Sequence, residues 1–307
     1  MSKLNKKVFR DIKVNKSQFI NIFIMVFLGV FVFSGIHSYM DGMKYSADKY
    51  YEENNLQDLW VTGYNFSLED LNNIKKFDNV KDAERVLALR TDLENYEDVV
   101  IELNFIETNN ISKMYVNDGS FFDKNKSGIW LDSYLAKNLG LNVGDKITLK
   151  YNGIKLDEEI VGLINTPDHV YFVKDETAIF PTHKDFGFAY ASINEFPYEA
   201  MYNQIIVDVD DENNILDVKS DIENNIKSAV AVTDRNSSFS YKGYQSEIEE
   251  GTTYSSVFTL LFLLIAILSV ITTMNRFVRK ERTQIGTMKA LGINKHKITW
   301  HYISYGF

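Results

Sequence analysis

Residues 257–292 read VFTLLFLLIAILSVITTMNRFVRKERTQIGTMKALG. From Val257 to Met274 there are eighteen residues without a charge, the length and composition of a membrane-spanning helix. Directly after it the chain becomes basic and amphipathic and ends on a glycine. An apolar span that runs into a cationic helix reads as a crossing that delivers the chain to the cytoplasm. In the cationic part Ile285, Met288 and Leu291 recur at i, i+3 and i+6 and form one apolar stripe. Arg282 and Lys289 lie elsewhere on that helix, and Gly292 suits the position just past its end. Composition leaves two readings of this helix standing equally: a docking element for another protein, or a juxtamembrane helix resting on anionic lipid.

Working outward, charge is segregated. The chain of 307 residues carries a net charge of −9, which argues against a nucleic-acid partner. Residues 1–18 hold Lys3, Lys6, Lys7, Arg10, Lys13 and Lys16 against Asp11. Residues 275–307 hold seven cations against Glu281, leaving 20 basic and 40 acidic residues between these ends. Both basic ends abut an apolar run, so the positive-inside rule puts both in the cytoplasm and the acidic middle outside. Phe19 to Ile36 is the other run. A cleaved signal peptide has a shorter apolar region and a small-residue cleavage site, so a retained anchor is the reading adopted. Residues 1–18 space Leu4, Val8 and Ile12 as an amphipathic helix on the inner membrane surface, with Lys6, Lys7, Arg10, Lys13 and Lys16 as its lipid-facing cations. A solvated tail that only sets topology is the rival. Neither span holds an ionisable residue, so no charged ion path is implied. Gly29, Ser34, Gly35 and Ser269 are small enough for close helix packing.

Between the spans the pattern is mixed α and β. His37 to Asn55 continues the first helix. Strands are expected at Leu59–Thr62, Arg85–Arg90, Val99–Ile106, Ile129–Leu131, Lys146–Tyr151, Lys155–Ile164, Gln204–Val209 and Ala229–Val232. Ser67 caps a helix with Leu68, Leu71 and Ile74 on one face, and Asp132 or Ser133 caps another that Gly140 closes. Asn152-Gly153 marks a hairpin. Ile215 to Ile226 has helical spacing. Residues 116–198 are richer in strands, Gly and Pro and read as a β-rich subdomain inserted into an α/β domain of about 56–115 and 199–235.

Few residues invite chemistry. With no cysteine, thiol catalysis and cysteine-ligated metals are excluded. Asp118, Asp123, Asp132 and Asp145 match no EF-hand spacing and read as turn formers. His169 and His183 have no second ligand at zinc spacing, and His296 and His301 read as surface or interfacial. Asp98, Glu102 and Glu107 form no recognisable acid/base pair. The triplets at Asn65, Asn110 and Asn236 fit glycosylation acceptors by chance in an Asn-rich chain. No phosphate loop, nucleophile elbow or dinucleotide motif occurs, so ATP hydrolysis by a phosphate loop is excluded.

Three segments carry a resemblance. Phe9-Arg10-Asp11-Ile12 with Asn15-Lys16 leads into the first span. Asp118-Gly-Ser-Phe-Phe-Asp is followed by Leu135-Ala136-Lys137-Asn-Leu-Gly-Leu-Asn-Val-Gly-Asp-Lys-Ile. Arg279-Lys-Glu-Arg-Thr-Gln-Ile-Gly-Thr-Met-Lys-Ala-Leu-Gly follows the second span. Together they resemble the N-terminal part of an FtsX/MacB-like ABC transporter permease, with Gln284 and Met288 departing mildly from the family's pattern. The resemblance implies membrane helices plus an extracytoplasmic α+β domain of the MacB periplasmic core type. It implies a cytoplasmic amphipathic helix at 1–18, spans at 19–38 and 255–275, the extracytoplasmic domain at 39–254, a coupling region at 276–299 and the start of a third span at 300–307. As the family has four spans, the chain is expected to be a fragment of a longer permease. Arg282, Ile285, Gly286, Met288, Lys289, Ala290, Leu291 and Gly292 would meet a cytoplasmic ABC ATPase. That partner would bind ATP and Mg; this chain would carry no cofactor and no enzyme activity. A second permease unit and the lipid bilayer are the other partners implied, in a bacterial cytoplasmic membrane. A two-span receptor and a membrane anchor for an exterior enzyme are the alternatives.

Overall fold

The computed structural model describes residues 13–14, 16–171 and 184–303, the side chain of Gln18 excepted. The helix expected over residues 1–18, with Lys6, Lys7 and Arg10, falls almost wholly outside the described residues, as do Pro181, His183 and the last four residues. The chain divides into two compact units, Met1–Lys44 with Ile248–Phe307, and Tyr45–Glu247.

Two long helices carry the apolar runs: α1 (Lys16–Glu53) and α5 (Phe239–Lys280). Their 38 and 42 residues correspond to about 57 and 63 Å, well beyond the roughly 30 Å of a hydrocarbon core. Both are long and apolar enough to cross a membrane, and their apolar side chains, Phe23, Phe27, Phe31, Leu260, Leu264 and Leu268 among them, are exposed. Within the helical unit α1 meets α5 at Gly29, where an added Cβ would lie 3.1 Å from the Phe262 Cβ. Among the described residues Gly35 has nothing within 4 Å and Ser34 is exposed. Ser255, fully buried, donates to the Phe33 carbonyl at 3.5 Å.

The other unit is built on one sheet. Its strands are β1 (Leu59–Gly63), β2 (Val80–Leu93), β3 (Val100–Ile106), β4 (Tyr115–Gly119), β5 (Ile129–Asp132), β6 (Lys146–Tyr151), β7 (Ile154–Asn165), β8 (Phe186–Ser192), β9 (Gln204–Val209) and β10 (Ala229–Asp234). The order is β10-β1-β9-β2-β3-β8-β5-β7-β4, with β6 pairing β2 and β7. Only β3–β8 and β5–β7 are parallel among these pairs. The segment at about 116–198 contributes β4 to β8, and joins the same sheet through β3–β8 and β2–β6. It supplies β8, β5, β7 and β4 as one end of that sheet.

Period-two alternation gives the sheet two apolar faces. Leu59, Leu87, Leu103, Leu131 and Val207 point to the first, where α2 (Leu68–Ile74), α3 (Ser133–Leu139) and α4 (Ile215–Asn225) cover them. Val86, Ile106, Trp130, Phe188 and Ile206 point to the second. Local sequence explains the helices. Ser67 and Asp70 close a capping box on α2. Leu71 and Ile74 are buried, while Leu68, expected on the same face, is exposed at the first position of the helix. The Asp132 carboxylate accepts from the Tyr134 and Leu135 N–H groups and so caps α3, and Gly140 ends it at φ +72°. Asn152 and Gly153, both at positive φ, turn β6 into β7 as a two-residue hairpin.

Candidate functional site

The end of α5 meets two short helices, α6 (Arg282–Ala290) and α7 (Lys295–Ile303). Phe277, Ile298 and Tyr302 form a small buried cluster, and Phe19, Met274, Ile285, Met288 and Ile293 pack around it. The Phe277 ring stands edge-on to Phe19 at 6.3 Å and lies 6.0 Å from Tyr302. Glu281 joins α5 to α6 with ψ near 5°, away from helical geometry. Its N–H still bonds the Phe277 carbonyl and its carbonyl receives the Ile285 N–H, both at 3.0 Å. The backbone therefore bends without leaving these groups unpaired.

α6 ends in a Schellman motif. The Ile293 N–H reaches the Met288 carbonyl at 3.1 Å and the Gly292 N–H reaches the Lys289 carbonyl at 3.0 Å, with Gly292 at φ +81°. Gly292 thus stands where the sequence put it. The apolar stripe does not survive whole. Ile285 and Met288 turn inward to the Phe277 cluster, while Leu291 is 75% exposed. The reason is the cap itself: Leu291 has left helical geometry (φ −80°, ψ 6°), and Ile293 beyond the glycine takes the inward place beside Met288.

The outward side of α6 therefore carries Arg282, Gly286, Lys289, Ala290, Leu291 and Gly292, all exposed. With Thr283, Gln284 and Thr287, also exposed, this is a polar surface with two cations and one large apolar side chain. Beside it runs an apolar groove of about 550 Å³, lined by Val270, Met274, Val278, Ile298 and Tyr302 and edged by Lys289 and Lys295. His301, expected at the surface, is buried on α7, since the period of that short helix puts it beside Ile298 and Tyr302. Lys13 and Lys16 are exposed.

The acids of the sheet unit have local work. Asp123 accepts from the Asn125 N–H, Asp145 from the Asn142 N–H, and Asp118 from the Gly119 N–H, at 2.7–2.9 Å. The Asp123 and Asp145 bonds form turns, whereas Asp118, read as a turn former, lies in β4 because its backbone pairs Leu163 of β7. Glu107 pairs with Arg85 at 3.0 Å. His169 pairs with Asp168 at 2.9 Å and stacks on Phe188 with ring centroids 4.1 Å apart. Burial opposes both charges, but their attraction and hydrogen bond prevail, holding Asp168 below and His169 above its ordinary value. Sequence reasoning gave no functional role to Gln57, Glu84, Asn104 and Gln204, which line one cavity. The signal available was polar residues alternating with apolar ones in strands that the second face buries.

The MacB-like periplasmic core domain family matches residues 19–225, and the FtsX-like permease C-terminal family matches residues 256–307. Among solved structures, the extracellular domain of the noncanonic ABC-type transporter YknZ from Gram-positive bacteria aligns at 17% identity and a TM-score of 0.39. That alignment covers 59% of this chain and 99% of that one. The periplasmic region of MacB from Actinobacillus actinomycetemcomitans aligns at 11% identity and a TM-score of 0.37, covering 64% and 94%. No curated protein sequence matches.

Proposed function

Because the chain belongs to the FtsX/MacB-like ABC transporter permeases, we propose that α6 is the element through which a separate ABC ATPase drives it. The ATPase binds ATP and Mg and hydrolyses the nucleotide; this chain supplies no cofactor site to that reaction. Arg282, Gly286, Lys289, Ala290, Leu291 and Gly292 meet the ATPase, while Ile285 and Met288 fasten α6 to the end of α5. Motion of α6 is then transmitted along the membrane helices to the sheet unit on the outer side of a bacterial cytoplasmic membrane. Its output is export, extraction or signalling, and two permease units pair around the ATPases. Lys13 and Lys16 rest on the inner lipid surface.

The observation that carries this reading is the division of α6. Its apolar side packs on Phe277, Ile298 and Tyr302, with Ile285 also lining the groove, so movement imposed on its outer side passes to α5. A helix that only rested on lipid would present its apolar side to the bilayer. Here the exposed residues include Arg282, Thr283, Thr287, Lys289 and Leu291, polar except for Leu291. The test is co-purification with the ATPase encoded beside this chain. Arg282→Glu combined with Leu291→Asp is expected to abolish it with membrane insertion intact. Undiminished association would overturn the assignment.

A further inference from the structure

The second face of the sheet holds a cavity of about 290 Å³ that the ATPase reading does not use. All its lining residues lie within Tyr45–Glu247. Glu102, Asn104, Ile106 and Thr108 line it in succession along and just past β3, so it is a trench roughly 20 Å long at about 3.4 Å per residue. Register fixes what lies across it. Trp60 of β1 pairs Ile206 of β9, which pairs Glu84 of β2. That set marks one end. Asn104 pairs Tyr190, and Glu102 pairs Phe188, at the other.

The two ends differ chemically. At the Trp60 end, Gln57 is 1% exposed, and neither its Nε2 nor its Oε1 has a hydrogen-bond partner. A buried carboxamide with donor and acceptor both unmet within the protein is costly. It is no packing accident of a tail: the Gln57 N–H bonds Ser112 Oγ at 3.4 Å and its carbonyl receives Arg235 Nε at 3.4 Å, so the backbone is held. Glu84 beside it is already engaged by the Asn110 N–H at 3.0 Å. Burial outweighs that bond and pushes its carboxyl above the ordinary range.

At the far end Glu102 is half-buried and makes no ion pair among the described residues. The neighbouring His169 is committed to Asp168. The described lining carries three carboxyls, Glu84, Glu102 and Asp168, against one imidazole and no Lys or Arg, and Arg90, opposite Glu102 in register on β2, has its guanidinium over Phe186, 5.6 Å from the ring centroid. Between the ends lie Ile106, Ile206 and the Trp60 ring.

We propose that this trench binds a slender amine: an alkylammonium placed against Glu102, an aliphatic stem over Ile106, Ile206 and Trp60, and a second polar group bonded to the Gln57 carboxamide. Glu102, the lining carboxyl left without an ion pair or hydrogen bond among the described residues, selects a cation, Ile106, Ile206 and Trp60 cover its stem, and Gln57 supplies the missing polar contact. Free oligoamines and the amine of a lysine-bearing peptide share this chemistry. The site belongs to the sheet unit alone and stands whether or not α6 meets an ATPase.

The experiment is calorimetric titration of the full chain in detergent with spermidine, with Lys-Gly-Gly, and with a dicarboxylate of similar length. Spermidine or the tripeptide is expected to bind and the dicarboxylate to fail. Tighter spermidine identifies a free amine as the ligand type, and tighter tripeptide identifies a peptide amine. Glu102→Gln, close in shape and with folding checked by circular dichroism, is expected to weaken binding by about tenfold or more, from loss of a charge-assisted bond. Gln57→Leu is expected to weaken it less and independently. No binding of either amine at about 10 mM, far above useful affinities, overturns the proposal. So does binding that Glu102→Gln leaves unchanged.

Discussion

Gly162 of β7 pairs with Trp130 of β5, and the fully buried indole lies over it. The Trp130 Nε1–H donates to the Ser120 carbonyl at 2.7 Å, which fixes the ring. A Cβ on Gly162 would fall 2.6 Å from Trp130 Cδ1 and 3.2 Å from the Ser120 oxygen, inside the roughly 3.5–4.0 Å of ordinary carbon contact. The backbone of Gly162 is not in the positive-φ region, so steric overlap with the ring is the whole cost of Gly162→Ala. Overpacking of this kind costs about 1–3 kcal/mol. Trp130→Ala costs about 3–5 kcal/mol through the cavity it leaves. In that background the overlap is gone, and Gly162→Ala becomes neutral or stabilises by up to about 1 kcal/mol by restricting the unfolded chain. The two changes should therefore couple by about 2 kcal/mol. Urea unfolding of residues 45–247, followed by circular dichroism, measures the cycle. Equal costs of Gly162→Ala with and without the indole would refute the packing.

Other expectations are as direct. Burial first, then Glu195 and Asp157, pushes the Glu158 carboxyl up from 4.5 to about 7. The folded state then holds a proton that the unfolded state has lost between about pH 4.5 and 7. Glu158's contribution is therefore full below that window and falls as pH rises through it. After solvent screening at a half-buried site the loss is on the order of 1–2 kcal/mol. Glu158→Gln should flatten that part of the stability profile, and an unchanged profile would contradict the environment described. Gly292→Ala should loosen the end of α6 by about 1 kcal/mol, read as faster amide exchange at Ile293 than at Ile298. Finally, in intact cells a cysteine at Ser127 should react with an impermeant maleimide and one at Lys297 should not; the reverse pattern would invert the topology.

Much of the fold was legible wherever a signal is local. Asn152-Gly153 needs no distant partner to turn a hairpin, and Ser67, Asp132 and Gly292 act within one helical turn. What depends on pairing across the sheet was not legible. β8 reads FGFAYAS, buried on both faces, so it shows no alternation, and its Gly187 is required because Leu135 of α3 lies 2.6 Å from where a Cβ would be. β4 is a mostly exposed edge strand, YVNDG, whose composition reads as a turn. At the candidate site, the i, i+3, i+6 spacing of Ile285, Met288 and Leu291 assumes one unbroken helix. The cap at Leu291 breaks that assumption, and a spacing rule does not register it. Gln57 and Glu102 became a pair of ends only once β1, β9, β2 and β3 stood side by side.

The central claim is that the outward side of α6 meets an ATPase and its inward side does not. A photoreactive phenylalanine derivative placed at Leu291 and, separately, at Met288 separates the two sides within one turn of chain. Irradiation of membranes holding both proteins should give an adduct with the ATPase from position 291 and none from 288. An adduct from 288, or only lipid adducts from 291, would contradict the account.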